Sequence, residues 1–163
     1  MRFPMLAAVV AALFLSIPAA FAHSVTAGDL ELTDLWTRAT PPRAPAAGGF
    51  LTITNHGTAA DRLVGATTPL AAIGEVHEMK VEDGVMTMTP LADGIEIPAG
   101  GAVTLAPGSY HLMFMELKEP FVEGGKVPVT LVFERAGTVE TFLHVRPIGA
   151  PGPDGDHEMD HGK

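Results

Sequence analysis

From Gly28 to Arg146 the apolar residues recur with a period of two, and no long stretch carries the period of an amphipathic helix. That feature restricts the chain to an all-β fold. Leu30-Glu31-Leu32 alternates, and Phe50-Leu51-Thr52-Ile53-Thr54 is a β-branched, aromatic run closed by the turn signal Asn55-His56-Gly57. Arg62 to Thr67 forms another strand. Glu75 to Val81 and Val85 to Thr89 flank Glu82-Asp83-Gly84, which predicts a hairpin with an Asp-Gly turn. Ile95 to Ile97 and Val103 to Leu105 are short strands, and Tyr110 to Glu116 is a stronger one. Val127 to Glu134, the turn Arg135-Ala136-Gly137 and Val139 to Arg146 make a closing hairpin. Strands at such short intervals with turn residues between them predict an antiparallel β-sandwich or barrel of Greek-key type.

The two ends differ from this pattern. Residues 1–22 read as a cleaved signal peptide: Arg2 is the positive start, Met5 to Ile17 is almost wholly apolar, Pro18 breaks the run, and Ala20-Phe21-Ala22 has the small-x-small form of a cleavage site. Cleavage after Ala22 implies export, here to the periplasm, and makes His23 the new N-terminus. No other stretch is long and apolar enough to span a bilayer. The β domain is expected over 23–147, followed by a flexible acidic tail over 148–163 built mostly from Gly, Pro, Asp and His.

The chain has 10 Lys and Arg against 19 Asp and Glu, a formal net charge of −9. Such a chain repels phosphates, which argues against a nucleic-acid partner. It has no cysteine, hence no disulfide framework, no thiolate metal site and no blue-copper centre. There is no Gly-rich phosphate loop, no nucleophile motif and no HExxH zinc pattern, so the reading is of a non-enzyme.

The eight methionines are more informative. In the strand Tyr110-His111-Leu112-Met113-Phe114-Met115, Tyr110, Leu112 and Phe114 share one face, and His111, Met113 and Met115 share the other. The first set suits a core. The second is odd for a solvent face and suits a soft metal ion. In the upstream hairpin His77 and Met79 share a face of one strand, and Met86 and Met88 share a face of the next. Cu(I) accepts thioether sulfur and neutral imidazole, zinc is poorly served by methionine, and magnesium or calcium wants oxygen. Any one of these residues reads more simply as a core filler or an ordinary surface side chain. The set does not, because His-x-Met occurs at 77/79 and again at 111/113, with a third copy at 157/159.

His77, ten residues, Met88, twenty-two residues, then His111-x-Met113 resembles the ligand pattern of the PCuAC periplasmic copper(I) chaperones, formerly a domain of unknown function. The flanking blocks are similar too: Leu35-Trp36-Thr37-Arg38-Ala39-Thr40-Pro41-Pro42, Gly49 to Asn55, Asp61-Arg62-Leu63 and Pro107 to Met113. The resemblance covers about Gly28 to Arg146. It implies a cupredoxin-like β-sandwich with an exposed Cu(I) site held by His77, Met88, His111 and Met113, with Met79 as an auxiliary. Met86 and Met115 have no counterpart in the pattern and are read as lining or shielding the site. It also implies delivery of copper to an acceptor such as cytochrome c oxidase subunit II, for its CuA centre, or a Sco-type protein, by a monomer.

Two further groups are auxiliary metal candidates. His157, Met159 and His161 lie among Asp154, Asp156, Glu158 and Asp160, a mixture suited to Cu(II), and some members of the family are similar in carrying such an extension; a solvated acidic tail is the alternative. His23 as an N-terminal residue would offer an amine and an imidazole to Cu(II). Trp36, Arg38 and Pro41-Pro42 read as packing and turn residues, and His56 and His144 are assigned to no metal. Copper storage or resistance stays open beside delivery, as does a copper-dependent oxidative enzyme using His23, against which the oxidisable thioethers argue.

Overall fold

The computed structural model describes residues 23–152. Among them are eleven strands and no helix: β1 (Val25–Ala27), β2 (Leu30–Arg38), β3 (Ala46–Asn55), β4 (Asp61–Thr67), β5 (Ala71–Glu82), β6 (Val85–Pro90), β7 (Ile95–Ile97), β8 (Ala102–Leu105), β9 (Tyr110–Leu117), β10 (Lys126–Phe133) and β11 (Gly137–Arg146). The signal peptide and cleavage site expected at 1–22, and residues 153–163 of the tail, lie outside the described residues.

The strands pair in the order β6-β5-β9-β3-β2-β11-β10-β4-β7, with β1 added to β2 and β8 to β3. Every pair is antiparallel except β11 on β2. Most neighbours are distant in sequence, as in a Greek-key sandwich. The core between the layers is built from alternate residues: Leu30 and Leu32 on β2, Leu51 and Ile53 on β3, Leu112 and Phe114 on β9, Val127, Val129 and Leu131 on β10, Leu143 and Val145 on β11, all buried. The expected all-β sandwich is therefore the fold.

One irregularity decides what the outer face carries. The register of β2 against β3 shifts between Thr33 and Trp36: Thr33 lies opposite Thr52, and Trp36 opposite Phe50. β2 thus holds one extra residue there, and Asp34 takes φ 51 at the bulge. Before it, even-numbered residues point inward. After it, Leu35 and Thr37 are buried inward, while Trp36 and Arg38 turn to the opposite face.

β2 and β3 are longer than the alternation suggested, because Ala46-Ala47-Gly48-Gly49 shows no apolar period yet pairs with Phe114 to Met115 and their neighbours on β9. The turn between β5 and β6 is the expected one: Asp83 and Gly84 take φ 51 and 78, both left-handed, as a two-residue hairpin requires. At the C-terminal end the packed domain continues past the expected boundary at residue 147. Ala150 is 1% exposed, lies against Trp36 and Phe50, and its carbonyl accepts a hydrogen bond from Arg38 Nε at 2.8 Å.

The closing hairpin is tied to β4 by a buried carboxylate. Asp61 accepts the backbone N–H groups of Arg62 at 2.7 Å, Arg135 at 2.9 Å and Ala136 at 2.9 Å. Burial alone would raise its pKa, but these three donors and the nearby Arg135 charge together hold it below the ordinary value. The folded state therefore binds this proton less readily than the unfolded chain, and the stabilisation is present above the unfolded pKa and lost as pH falls through the folded one. Asp61→Ala is expected to cost about 2–3 kcal/mol in urea unfolding at pH 7, and the difference from the unsubstituted chain should shrink as the pH is taken below 4. A pH-independent difference would show that the charge of Asp61 is not what holds the turn.

Candidate metal centre

β5 and β9 pair so that His77 lies directly opposite His111, Glu75 opposite Met113 and Glu78 opposite Tyr110. β6 continues the row on one side, with Met79 opposite Met88 and Val81 opposite Met86. β3 continues it on the other, with Gly48 opposite Met113. Since alternate residues share a face, one outer surface runs from Met86 and Met88 on β6, through Met79 and His77, to His111 and Met113, and on to Gly48, Phe50, Trp36 and Arg38.

The two imidazoles are the most constrained part of this surface. His77 is 8% and His111 is 4% exposed, although both face away from the main core. Their rings lie 5.8 Å apart between centroids, inclined at 55°. His77 Nε2 is 2.7 Å from Glu75 Oε2, and His111 Nδ1 is 3.1 Å from the Ser109 carbonyl oxygen. A carboxylate and a carbonyl only accept, so Nε2 of His77 and Nδ1 of His111 carry the protons and donate. In the neutral rings the other nitrogens, His77 Nδ1 and His111 Nε2, then present lone pairs. Both are buried and have no hydrogen-bond partner. A polar atom stripped of water and left unpaired costs about 1–3 kcal/mol, and here two occur side by side. Each ring has its remote nitrogen fixed by an acceptor, the arrangement that orients metal-binding histidines. Burial holds the His111 pKa below the ordinary histidine value, with a smaller opposing effect of the Ser109 hydrogen bond and a further lowering by His77.

The sulfur atoms border an open cavity of about 460 Å³ whose lining includes His111, Met113, Met79, Met86 and Met88. Gly48 forms part of its wall, and a Cβ there would meet Phe50 Cζ at 3.1 Å. Met79 and Met113 are half-buried, whereas Met88 is 48% and Met86 63% exposed on the edge strand β6. The centre is thus exposed on its methionine side only, and its imidazoles are buried. Among the described residues no three His, Asp or Glu side chains gather as a metal site. The donors on offer are two neutral imidazoles and thioethers, which match a soft monovalent ion and suit neither zinc nor calcium.

The other sequence candidates fall elsewhere. Met115 shares the face but lies opposite Ala46 and Ile73, outside the cavity lining. His23 stacks on Phe142 at 4.0 Å, with Nε2 3.1 Å from Thr141 Oγ1 and His144 edge-on at 5.7 Å. His56 is paired with Glu31 at 2.8 Å. His157, Met159 and His161 lie outside the described residues. Three contributors escaped sequence reading. Glu75 carried a faint signal, being two residues from His77 on the same strand face. Arg38, read as a packing residue, also borders the cavity, and so does Phe50; the β2 bulge that sets Arg38 on this face leaves no mark in the alternation.

A family model of LpqE-like lipoproteins matches residues 30–145. Lxx21020 of Leifsonia xyli subsp. xyli (strain CTCB07), a protein named as a lipoprotein, is 36% identical over 120 residues, covering 74% of this chain and 71% of the relative. Among solved structures, the copper-bound PCuAC domain from PmoF2 is 25% identical with a TM-score of 0.66, covering 77% of this chain and 98% of that one. The CuI form of DR1885 from Deinococcus radiodurans is 28% identical with a TM-score of 0.55, covering 78% and 83%.

The hydrogen bonds assign each ring a single tautomer, which long-range ¹H–¹⁵N spectra read directly. His77 should appear as the Nε2–H form and His111 as the Nδ1–H form in the metal-free protein at pH 7.5. Finding either ring in the opposite form would remove its lone pair from the position described.

Proposed function

This chain belongs to the LpqE-like family, and from that membership and its donor set we propose that it carries Cu(I) outside the cytoplasm, as a periplasmic chaperone of PCuAC type. The observation that carries the reading is the pair of buried, unpartnered imidazole nitrogens beside a methionine-lined cavity. The likeness to a copper-bound PCuAC domain and to a CuI form of DR1885 supports copper as the ion. In this reading His77 Nδ1 and His111 Nε2 are the fixed ligands, Met113 and Met88 supply sulfur, and Met79 is an auxiliary. Thioethers do not titrate, so only the imidazoles compete with protons. The ion is cargo. Met88, half-exposed on an edge strand, is the ligand an acceptor's donor can replace first, while the buried imidazoles retain the ion until exchange is complete. No general base or nucleophile is required for this.

The acceptor we propose is a copper-dependent respiratory assembly step, with cytochrome c oxidase subunit II or a Sco-type protein as the recipient and the CuA centre as the destination. The acidic surface and the signal-like residues 1–22 agree with an exported carrier. Storage differs from delivery only in the fate of the metal. A single two-imidazole centre per domain favours carriage, because it offers one ion to one acceptor.

Competition with a chromogenic Cu(I) chelator should give one tight ion per chain, and Met88→Leu with Met113→Leu together should weaken it roughly a hundredfold, about 2.8 kcal/mol. Unchanged affinity would take both residues out of the centre. Glu75→Ala, which leaves every ligand in place, should cost at least about tenfold by freeing the His77 ring. X-ray absorption on the loaded protein should show nitrogen and sulfur scatterers together. Because burial lowers the His111 pKa, proton competition at that ring begins below the ordinary value of about 6.5. Proton competition at His111 should therefore set in only below the ordinary histidine value, and a loss of affinity already complete at pH 6.5 would contradict a buried His111.

A further inference from the structure

Two imidazoles and a carboxylate on one sheet face do not by themselves exclude divalent ions. Imidazole suits zinc and Cu(II) as well as Cu(I), and Glu75 shares the face of His77, with Oε2 2.7 Å from its Nε2. The chain as a whole carries 19 Asp and Glu against 10 Lys and Arg. A negative field draws any cation, and a divalent one twice as strongly. Thioether softness opposes this, but it acts only through the sulfurs. The cavity has a further feature that the copper reading does not use: Arg38 is the one formally charged side chain in its lining.

That charge is held in place and is not neutralised. The guanidinium carbon of Arg38 lies 5.8 Å from the Trp36 ring centroid and 5.9 Å from that of Phe50, within cation–π reach, and Nε donates to the Ala150 carbonyl oxygen at 2.8 Å. Elsewhere cations are paired: Arg62 lies 3.3 Å from Glu96 and 3.6 Å from Glu134, and Lys80 lies 3.0 Å from Glu78. Among the described residues no carboxylate forms such a pair with Arg38. The register sets its distance from the ligands. Thr37 lies opposite Gly49, so the next residue, Arg38, comes beside Gly48 on the outer face, and Gly48 lies opposite Met113. Arg38 and Met113 are thus two strand spacings apart, roughly 10 Å, across a residue with no side chain of its own.

We propose that Arg38 sets the charge of the ion that this centre accepts. The work of bringing an ion toward a fixed charge is proportional to the ion's own charge, so the guanidinium disfavours a divalent ion twice as strongly as Cu(I). Affinity depends exponentially on free energy. The factor by which Arg38 weakens a divalent ion is therefore the square of the factor for a monovalent one, whatever the dielectric between them. Thioethers select soft ions and Arg38 selects monovalent ones, and Cu(I) meets both conditions. This deepens the copper reading and rests on it. Glu75 acts with the opposite sign at the His77 side of the centre. It stays the same when Arg38 is replaced, so it cancels from any comparison of Arg38 variants.

The test adds Cu(I), Ag(I) or Zn(II) to the metal-free chain from residue 23 to 163, with a competing chelator where binding is tight. Binding is followed at the His77 and His111 ring signals, so that only this centre is counted. Arg38→Gln and Arg38→Met should each tighten Cu(I) and Ag(I) about fivefold and Zn(II) about twenty-five-fold. The fivefold step, about 1 kcal/mol, is the size of a unit-charge interaction across roughly 10 Å at an effective dielectric of about 35. Arg38→Lys, which keeps the charge, should leave the Zn(II)-to-Ag(I) preference of the unsubstituted chain in place, and high salt should shrink the effect of Arg38→Gln. Equal changes for the two ion charges, or no change, overturn the proposal. A loss of affinity for all three ions makes Arg38 a support of the cavity wall and overturns it too, as does a Zn(II) gain that Arg38→Lys reproduces. If neither ring of the unsubstituted chain responds to Cu(I) or Ag(I), the copper reading fails and takes the proposal with it. Rings that respond to both ions, with an unchanged preference in the variants, sink the proposal alone.

Discussion

The antiparallel register of β5 on β9 places the His77 and His111 rings side by side on the outer face of the sheet, and the rest of the centre is arranged around that pair. In a sheet a slip of one residue sends every side chain to the opposite face. Here it would turn both imidazoles and Met113 into the core and bring Leu112 and Phe114 out to water. The register is held against this by the core itself, since Val76, Leu112 and Phe114 are buried on the inner face of the same two strands. Hydrophobic burial on one side of β9 therefore enforces the placement of His111 and Met113 on the other.

What burial does to the imidazoles follows from the same placement. A histidine on an open sheet face is normally hydrated at both nitrogens. Here each ring has one nitrogen satisfied by the protein, Glu75 for His77 and the Ser109 carbonyl for His111, and the other is left dry. The first effect selects the tautomer. The second raises the free energy of the metal-free state, so that a soft ion recovers what desolvation has cost. Glu75 has a second consequence: a carboxylate hydrogen-bonded to the remote nitrogen makes the ring a stronger donor, and it lies beside a centre that contains no anionic ligand of its own.

Much of this was legible in the sequence, for physical reasons that can be named. The period-two alternation of Leu112 and Phe114 against His111 and Met113 is a direct readout of the two faces of a strand, and Asp83-Gly84 marks a two-residue turn because both positions need left-handed backbone. Both features are local. The bulge in β2 is not. Nothing in Leu30-Glu31-Leu32-Thr33-Asp34-Leu35-Trp36 says that an extra residue will be absorbed at Asp34, so alternation carried on from Leu32 would have put Trp36 and Arg38 inside. Ala46 to Gly49 were equally opaque: small residues have no apolar period, and they become a strand only because β2 and β9 supply partners on both sides. The cavity wall is made from these two segments. The face that carries His111 and Met113 was therefore readable and the opposite wall of the cavity was not.

The exposure gradient across the centre bears on how a carrier can be both retentive and generous. β6 is exposed at every position, lies at the edge of the sheet and carries Met88, whereas the imidazoles one and two strands inward are nearly dry. Edge strands have few partners and open at low free-energy cost compared with central ones. A ligand on such a strand contributes to affinity while the hairpin is closed, and withdraws without disturbing the core when it opens. In the proposed carrier Met88 is therefore the sulfur that an incoming donor reaches from the sheet edge, while the imidazoles lie further in. Arg38 stands on the β2 side of the same cavity and brings a positive charge to its lining. Met88 on β6 and Arg38 on β2 line the same cavity from opposite ends of the run β6-β5-β9-β3-β2, so in the proposed carrier the sulfur that releases the ion and the cation that meets a partner are separate groups.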